Sequence, residues 1–272
     1  MDILIISMTS AEARRRFQTE QMARLKLSFR FLDAFEAARL SAEDCQQAAD
    51  SWPSPTLRQD VACFHSHRLA WQAVIDSGRQ TLILEDDTVL ADDFAEALRL
   101  IEARNDPWNV AYDLEFVPER HLVATRPLWR DDTTSFAARR IFQNRLGLAS
   151  YIIGPEAARR MLDDTETYGL VDAHFWSRPW LRSYQIEPAP AIQLRFLDEA
   201  PEHANFSRPA TDAVFRPSSK LRKHFMRLKL ERTKVRNSLT GLLRAERRMI
   251  VIDRTRFAER ATLPSPSGKI AG

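Results

Sequence analysis

Apolar positions along the first two thirds of the chain follow two rhythms in turn: short continuous or alternating runs, then helical spacings. "ILIISM" (3–8) reads as a strand, and "SAEARRRFQTEQMARLKL" after it places Phe17, Met22 and Leu25 at helical spacing behind Ser10 as N-cap. "SFRFLDAF" (28–35) alternates as a second strand. The prolines and small polar residues of "DSWPSPT" (50–56) make a loop, because neither ladder tolerates them. "LRQDVACFHSHRLAWQAVIDSG" (57–78) predicts a helix closed by Gly78, followed by a strand in "TLILEDD" and a helix in "DDFAEALRLIEAR" (92–104). "WNVAYDLEFV" (108–117) and "LASYIIG" (148–154) read as strands. "PEAARRMLDD" (155–164) reads as a helix with Pro155 at its first position, where a missing N–H does no harm. Strands alternating with helices predict an α/β sheet covered on both faces.

One strand ends in an unusual way. Thr81, Leu82, Ile83 and Leu84 form a buried-strand run, and Glu85, Asp86 and Asp87 follow where it would leave the sheet. Three adjacent carboxylates repel, and beside apolar residues they are partly desolvated. Open α/β sheets bind ligands at the carboxyl ends of their strands. The cluster is therefore either a solvated loop or a cation site. Alternation puts Glu85 and Asp87 on one side and Asp86 on the other.

On the helix at 57–78, Leu57, Cys63, Phe64, His67, Trp71, Val74 and Ile75 share one face at 100° per residue, while His65 points away as a surface residue. His67 is then either a buried structural histidine or a brace for the acidic loop or the donor pocket. "AHFWSRPWLRSY" (173–184) gathers Phe175, Trp176, Trp180 and Tyr184 with Arg178 and Arg182; aromatic faces stack on sugars and arginines bind phosphate.

Composition narrows the setting. At 272 residues, 44% hydrophobic and 28% charged, the chain has globular composition and can bury a substantial core. No apolar run nears the roughly 20 residues needed to cross a bilayer. The N-terminal run, behind Asp2, is too short for a signal peptide, and Cys45 and Cys63 offer neither a disulfide framework nor zinc spacing. A cytoplasmic protein is expected. The net charge of +3 hides an asymmetry, since residues 216–248 hold 12 Lys/Arg against two Glu; that local +10 leaves −7 for the rest. Leu221, Phe225, Leu228, Val235, Leu239 and Leu242 form an apolar stripe in this basic stretch. A basic amphipathic helix suits an anionic membrane surface, and no nucleic-acid recognition motif is present.

Five segments, in order over roughly residues 3–200, resemble glycosyltransferase family 25, which includes bacterial lipooligosaccharide galactosyltransferases and procollagen galactosyltransferases. "ILIISM…RRRFQTEQMARLKLSFRFLDAFEA" is similar to the family's opening, and "DVACFHSHRLAWQAVI" to its G-C-x-x-S-H-x-x-x-W helix. "LILEDD" resembles its acidic signature, "LGLASYIIGPEAARRML" a later A-Y-x-I-S segment, and "YGLVDAHFW" its P-V-D stretch. Ala62 stands where the family usually has Gly, and Asn109 where an Asp commonly follows the Trp.

The resemblance implies a GT-A-like, Rossmann-type nucleotide-sugar-binding sheet flanked by helices over residues 1–215. A basic amphipathic helical extension over 216–261 and a disordered end over 262–272 would follow, and a chain cut after 215 is expected to fold. It also implies an inverting transferase that moves a hexose, typically galactose, from a nucleotide-diphosphate donor such as a UDP-hexose to a surface glycan such as lipopolysaccharide. Mn2+ or Mg2+ would assist, because a hard cation held by carboxylates neutralises the departing diphosphate. Asp87 is the expected metal ligand, with His203 a second candidate. Glu85, Asp86 and Arg178 are expected on the donor. Asp172 is either the general base for the acceptor hydroxyl or the N-cap of a short helix. The enzyme is expected at the inner membrane, bound peripherally through residues 216–248. The rival expectation is a catalytically impaired GT-A-fold binding protein at the membrane surface.

Overall fold

The computed structural model describes residues 1–143, 146–164, 168–197, 213–219, 221, 223–228, 232, 235 and 244–257. Its first strand, β1 (Asp2–Ser7), buries Ile3 and Ile5 on one face and Leu4 and Ile6 on the other. A strand buried on both faces needs helices on both faces. α1 (Glu12–Leu25) packs Met22 and Leu25 on the Ile3–Ile5 side and ends at Lys26 in the left-handed region, φ 56°. Its N-cap position is Ala11 rather than Ser10, and no side chain caps it. β2 (Arg30–Asp33) is shorter than the alternation suggests and runs parallel to β1.

α2 (Ala42–Asp50) opens on a capping box made by Ser41 and Asp44. β3 (Thr56–Leu57) leads into α3 (Arg58–Ser77), which ends at Gly78 with φ 65°, a conformation that favours glycine. Phe64, Trp71 and Val74 of α3 pack on the Leu4–Ile6 side. β4 (Thr81–Glu85) lies parallel to β1, with Glu85 opposite Ile6. After β5 (Thr88–Leu90), α4 (Phe94–Glu102) returns Phe94, Leu98 and Ile101 to the Ile3–Ile5 side.

The segment 108–117 is two strands rather than one. β6 (Val110–Asp113) stays in the large sheet, whereas β7 (Glu115–Phe116) joins a small one; the division falls at Leu114, which is itself fully buried. β8 (Arg120–Ala124), β9 (Trp129–Arg130), β10 (Ala137–Gln143) and β11 (Ser150–Ile153) follow, then α5 (Pro155–Asp163) and α6 (Val171–Trp176). β12 (Arg182–Glu187), β13 (Ala191–Gln193), β14 (Val214–Phe215) and β15 (Ala245–Met249) complete the chain order. The main sheet runs β15-β8-β10-β12-β6-β11-β4-β1-β2, with β9 beside β10.

β2, β1, β4, β6 and β12 point the same way, and β11 runs against β4 and β6. The carboxyl ends of β1, β4 and β6 therefore meet the start of β11 at one sheet edge. Above it sits the small sheet β5-β13-β7. That edge is where Glu85, Asp86 and Asp87 emerge.

The expectation of a wholly helical extension over 216–261 needs correction. Residues 221 and 223–228 are helical, but β15 pairs with β8 as an edge strand of the main sheet. Ile250 and Phe257 are buried with Val123 and Ile141. Arg248 clasps Glu187 with two contacts of 2.7 Å, and Arg139 meets the same carboxylate at 2.9 Å. Charge misleads the sequence reading here: "AERRM" looks solvated, yet its Arg248 serves a buried glutamate, while Arg247 bonds Gln143. Residues 258–272, including the expected disordered end, lie outside the described residues.

The C-terminal strand should thus contribute to stability. Phe257→Ala should cost about 3 kcal/mol in urea unfolding, from lost burial and the cavity left behind. A chain cut after residue 215 should melt well below the intact one; equal melting temperatures would show that β15 adds nothing.

Candidate active site

The three carboxylates at the end of β4 are held in three different ways. Asp86 is buried, accepting Ser7 Oγ at 2.7 Å and pairing with Arg14 Nη1 at 2.6 Å. Its backbone carbonyl accepts Gln18 Nε2 at 3.0 Å, and Gln18 and Gln21 both donate to the Thr88 carbonyl. Buried α1 glutamines thus satisfy the backbone of the turn, which would otherwise carry orphaned carbonyls. Arg15, the next residue of α1, reaches the Ser7 carbonyl at 2.9 Å and Asp33 at 2.5 Å.

Glu85 is held from α3. His67 is buried, with Nε2 at 3.3 Å from Glu85 Oε1 and Nδ1 at 3.0 Å from the Tyr151 hydroxyl. Trp71 Nε1, a donor only, bonds the same hydroxyl at 2.8 Å. Trp71 can only donate to the Tyr151 hydroxyl, and an ionised Glu85 can only accept, so His67 Nε2–H donates to Glu85 while its Nδ1 bonds Tyr151. Burial raises the Glu85 pKa, but the bond and charge of His67 outweigh it and hold the carboxyl below its usual value. His67 is a brace for the acidic loop. His65 is not the surface residue its helical phase suggests; it is half-buried, with its ring 4.9 Å from Phe35.

Asp87 is the least satisfied of the three. Its side chain accepts Gln193 Nε2 at a long 3.4 Å, a donor it shares with Glu85 Oε2 at 3.3 Å. Arg195 in turn donates to Gln193 Oε1 at 2.6 Å. Burial first, then repulsion from Glu85 and Asp86, pushes Asp87 up to about 7. As alternation requires, Glu85 and Asp87 face one way and Asp86 the other.

Asp172 enters this field from α6. The helix is capped at Leu170, so Asp172 lies inside its first turn and is not the N-cap. Its carboxylate accepts Ala173 N–H at 2.7 Å and the N–H of Gly147. Burial raises its pKa, and Glu85 adds to the rise. Gly147 has φ 81°, and a Cβ there would stand 2.4 Å from Val117 Cγ2 and 2.8 Å from Glu115 Oε2. Only glycine fits. Its carbonyl accepts Trp176 Nε1 at 2.6 Å, which ties α6 to the sheet edge.

The sequence profile of glycosyltransferase family 25, described as an LPS biosynthesis protein, matches residues 1–176. This chain belongs to glycosyltransferase family 25. It is a glycosyltransferase. It is 27% identical over 208 residues to the lacto-N-neotetraose biosynthesis glycosyltransferase LgtE of Neisseria gonorrhoeae, spanning 70% of this chain and 72% of that one. It is 28% identical over 165 residues to LgtB of Neisseria meningitidis serogroup B, spanning 58% and 60%. A glycosyltransferase involved in glycosylation of the PBCV-1 major capsid aligns with 84% of this chain at 11% identity and a TM-score of 0.38, and nothing rests on that likeness.

The two departures from the family 25 pattern fall at packing positions. Ala62 is buried in α3, and Asn109 donates to the Trp180 carbonyl at 2.8 Å. Residues missed by sequence reading matter more. Gln193 and Tyr151 hold the carboxylates from distant strands. Glu115 is buried, accepts Ala149 N–H at 2.8 Å, and is pushed well above the usual carboxylate range by burial and then Asp113. Nothing in the local sequence marks these residues, because their partners lie tens of positions away.

Arg178 stands elsewhere than expected. Its Nε donates to the His174 carbonyl at 3.0 Å, and it lines a cavity on the far side of α3. Among the described residues it makes no hydrogen bond or ion pair with Glu85, Asp86 or Asp87. His203 lies outside the described residues.

Two donor sets can be weighed for a metal. Cys63, His67 and Glu85 bring their ligand atoms within 4.8 Å of one another. A thiolate and an imidazole suit borderline metals such as zinc. Here, however, burial and then Glu85 push the Cys63 thiol up, and His67 Nε2 carries the proton that binds Glu85. Asp87, with its neighbouring carboxylates and one long hydrogen bond, is the better fit for a hard cation held through oxygen.

The Asp87 shift has a stability consequence in metal-free protein. Its folded pKa of about 7 lies above the unfolded value, so between those values the native state binds more protons than the unfolded state. Stability must then fall as pH rises through that window. Thermal melts in chelator at pH 5 and pH 8 should show the drop, and Asp87→Asn should flatten it by stabilising the protein at pH 8. An Asn variant that melts lower than wild type at pH 8 would place Asp87 in a stabilising bond instead.

Proposed function

We propose that this family 25 glycosyltransferase is a GT-A-type inverting enzyme that moves a hexose from a nucleotide-diphosphate donor to a hydroxyl of a cell-surface glycan. The observation that carries this reading is the pairing of an under-satisfied carboxylate, Asp87, with a second raised carboxylate, Asp172, at the carboxyl edge of one sheet. A divalent cation such as Mn2+ or Mg2+, when bound, would neutralise charge on the donor diphosphate. Asp87 would hold it through oxygen, with Asp86 and Glu85 fixing the turn and the outer hydrogen bonds. Asp172 would accept the proton of the acceptor hydroxyl as that oxygen bonds to the anomeric carbon. The bond to the diphosphate breaks on the opposite face, and its electron pair leaves with the phosphate. Burial raises the pKa of Asp172, which makes its carboxylate a stronger base than an ordinary exposed aspartate. LgtE and LgtB, both lacto-N-neotetraose biosynthesis glycosyltransferases, support a lipopolysaccharide-type acceptor.

Asp87→Ala should abolish transfer and manganese-dependent nucleotide-sugar binding while leaving circular dichroism unchanged. Asp172→Asn should spare donor binding and lower turnover by roughly 10²-fold or more. Near-normal transfer by Asp87→Ala would refute the metal reading. A normal rate with Asp172→Asn would remove it as base.

We further propose peripheral attachment to an anionic membrane. Among the described residues no helix is long and apolar enough to cross one. Leu221, Phe225, Leu228 and Val235 are all exposed, the first two above 60%. Nine Lys/Arg against one Glu surround them over 216–243. Apolar burial would add a salt-resistant part to an electrostatic one that fades within a Debye length. The double change Phe225→Glu with Leu228→Glu should weaken binding to phosphatidylglycerol-containing vesicles by at least about tenfold at high salt. Equal binding by both proteins would rule out insertion of this stripe.

A further inference from the structure

The acidic edge carries more negative charge than one divalent cation can offset. Asp86 is answered by Arg14, but Glu85 and Asp87 face the other way together. Their two charges already offset a cation held at Asp87, so the charge of a donor diphosphate must be met by protein donors. That charge grows as the bond to the sugar breaks, because the electron pair leaves with the phosphate. A guanidinium suits the task, since its planar fork matches a pair of phosphate oxygens. Arg178, expected on the donor, lines the cavity beyond α3 instead.

A different arginine reaches this edge. β13 ends at Gln193, opposite Thr88 of β5, and the 3-10 turn Leu194–Phe196 follows at once. Leu194 N–H bonds the Asp87 carbonyl at 2.9 Å, which seats that turn on the acidic exit of β4. Gln193 is buried, with Nε2 divided between Glu85 Oε2 at 3.3 Å and Asp87 Oδ1 at 3.4 Å. Its Oε1 accepts Arg195 Nη2 at 2.6 Å. A single amide group therefore stands between the Arg195 guanidinium and the two carboxylates. Against burial and the neighbouring acids, the cations that oppose the rise of the Asp87 pKa are Arg14 and Arg195. Arg14 is committed to Asp86 at 2.6 Å. Arg195 is exposed, and among the described residues it has no carboxylate within ion-pair distance.

We infer that Arg195 binds the diphosphate of the sugar donor, aimed by Gln193 from beside Asp87. The inference deepens the transferase reading and rests on its nucleotide-diphosphate donor. The bond to Gln193 uses one N–H of the guanidinium, which leaves the rest of the fork for phosphate oxygens. The stem is held as well: the guanidinium carbon lies 4.6 Å from the Phe196 ring centre. Phe196 in turn packs on the cluster that contains Ile250 and Phe257, so the C-terminal segment supports the turn that carries Arg195. The rival role for Arg195 is to anchor Gln193 and, through it, Asp87. The two roles differ in sign toward a metal. An anchor holds Asp87 ready for a cation, whereas a diphosphate-binding guanidinium repels a cation until the phosphates arrive.

The test uses the intact chain and calorimetric titration with UDP, UMP, GDP and GMP in the presence of Mn2+. The diphosphate of the preferred base should bind at least about tenfold more tightly than its monophosphate. Arg195→Gln should remove most of that advantage and leave monophosphate affinity nearly unchanged. Arg195→Lys, which keeps the charge and loses the fork, should recover only part of it. Mn2+ binding without nucleotide, followed by electron paramagnetic resonance, should be at least as tight in Arg195→Gln as in wild type. Weaker Mn2+ binding in that variant makes Arg195 an anchor for Gln193 and overturns the inference. Equal diphosphate affinity in wild type and Arg195→Gln overturns it too, with the donor reading intact. A wild-type chain that shows no preference for diphosphate over monophosphate refutes the nucleotide-diphosphate donor itself, and the inference falls with it.

Discussion

A carboxylate stays ionised beside two others only where each repulsion is opposed locally, and the exit of β4 is built around that constraint. Asp86 is neutralised by Arg14 and pinned by Ser7. Glu85 is stabilised by a buried histidine that is itself held by Tyr151, to which Trp71 donates. Asp87 is left with half of a shared glutamine and a pKa near neutrality. The sequence spacing is symmetrical, three acids in a row, but the surroundings make three chemically distinct groups. One is fixed, one is braced, and one is left to bind.

The fold supplies those surroundings from far along the chain. Ser7 ends β1, Tyr151 belongs to β11, and Gln193 closes β13. Asp172 comes from α6. The antiparallel strand β11 is what brings the Gly147–Ala149 approach to the carboxyl edge, where Ala149 accepts Glu85 N–H at 2.9 Å. Gly147 lets Glu115 and Trp176 close on one backbone segment. A side chain there would collide with Val117 and Glu115 and disturb the backbone segment that Asp172 and Trp176 bond.

What could be read in the sequence follows from how local each signal is. The Gly78 stop, the Pro155 start, the buried strand runs and the opposed faces of Glu85 and Asp86 are set by near neighbours, and the structure has them where expected. Strands β10 and β12 were unreadable because "AARRIFQ" and "RSYQIE" carry charges that pair across the sheet, as Arg139 does with Glu187. Asp172 reads from the sequence as a possible cap before a short helix, but the helix begins earlier, with its cap two residues before Asp172 at Leu170. Tyr151 and Gln193 act only through partners that no local pattern reveals. The family resemblance reached the acids and Asp172, whereas the hydrogen-bond chain from Trp71 required coordinates.

The basic C-terminal third illustrates how one composition can serve two opposed physical ends. Arg248 gives up water to clasp a buried Glu187, and such a pair is held by geometry because a partnerless Glu187 would be an uncompensated buried charge. Arg227 stays exposed beside the exposed side chains of Phe225 and Leu228. The first arrangement makes the segment part of the sheet; the second makes it a surface that needs a partner. Because Met226 of the same segment lines the cavity beyond α6, docking the helix on a charged surface would set the cavity against that surface.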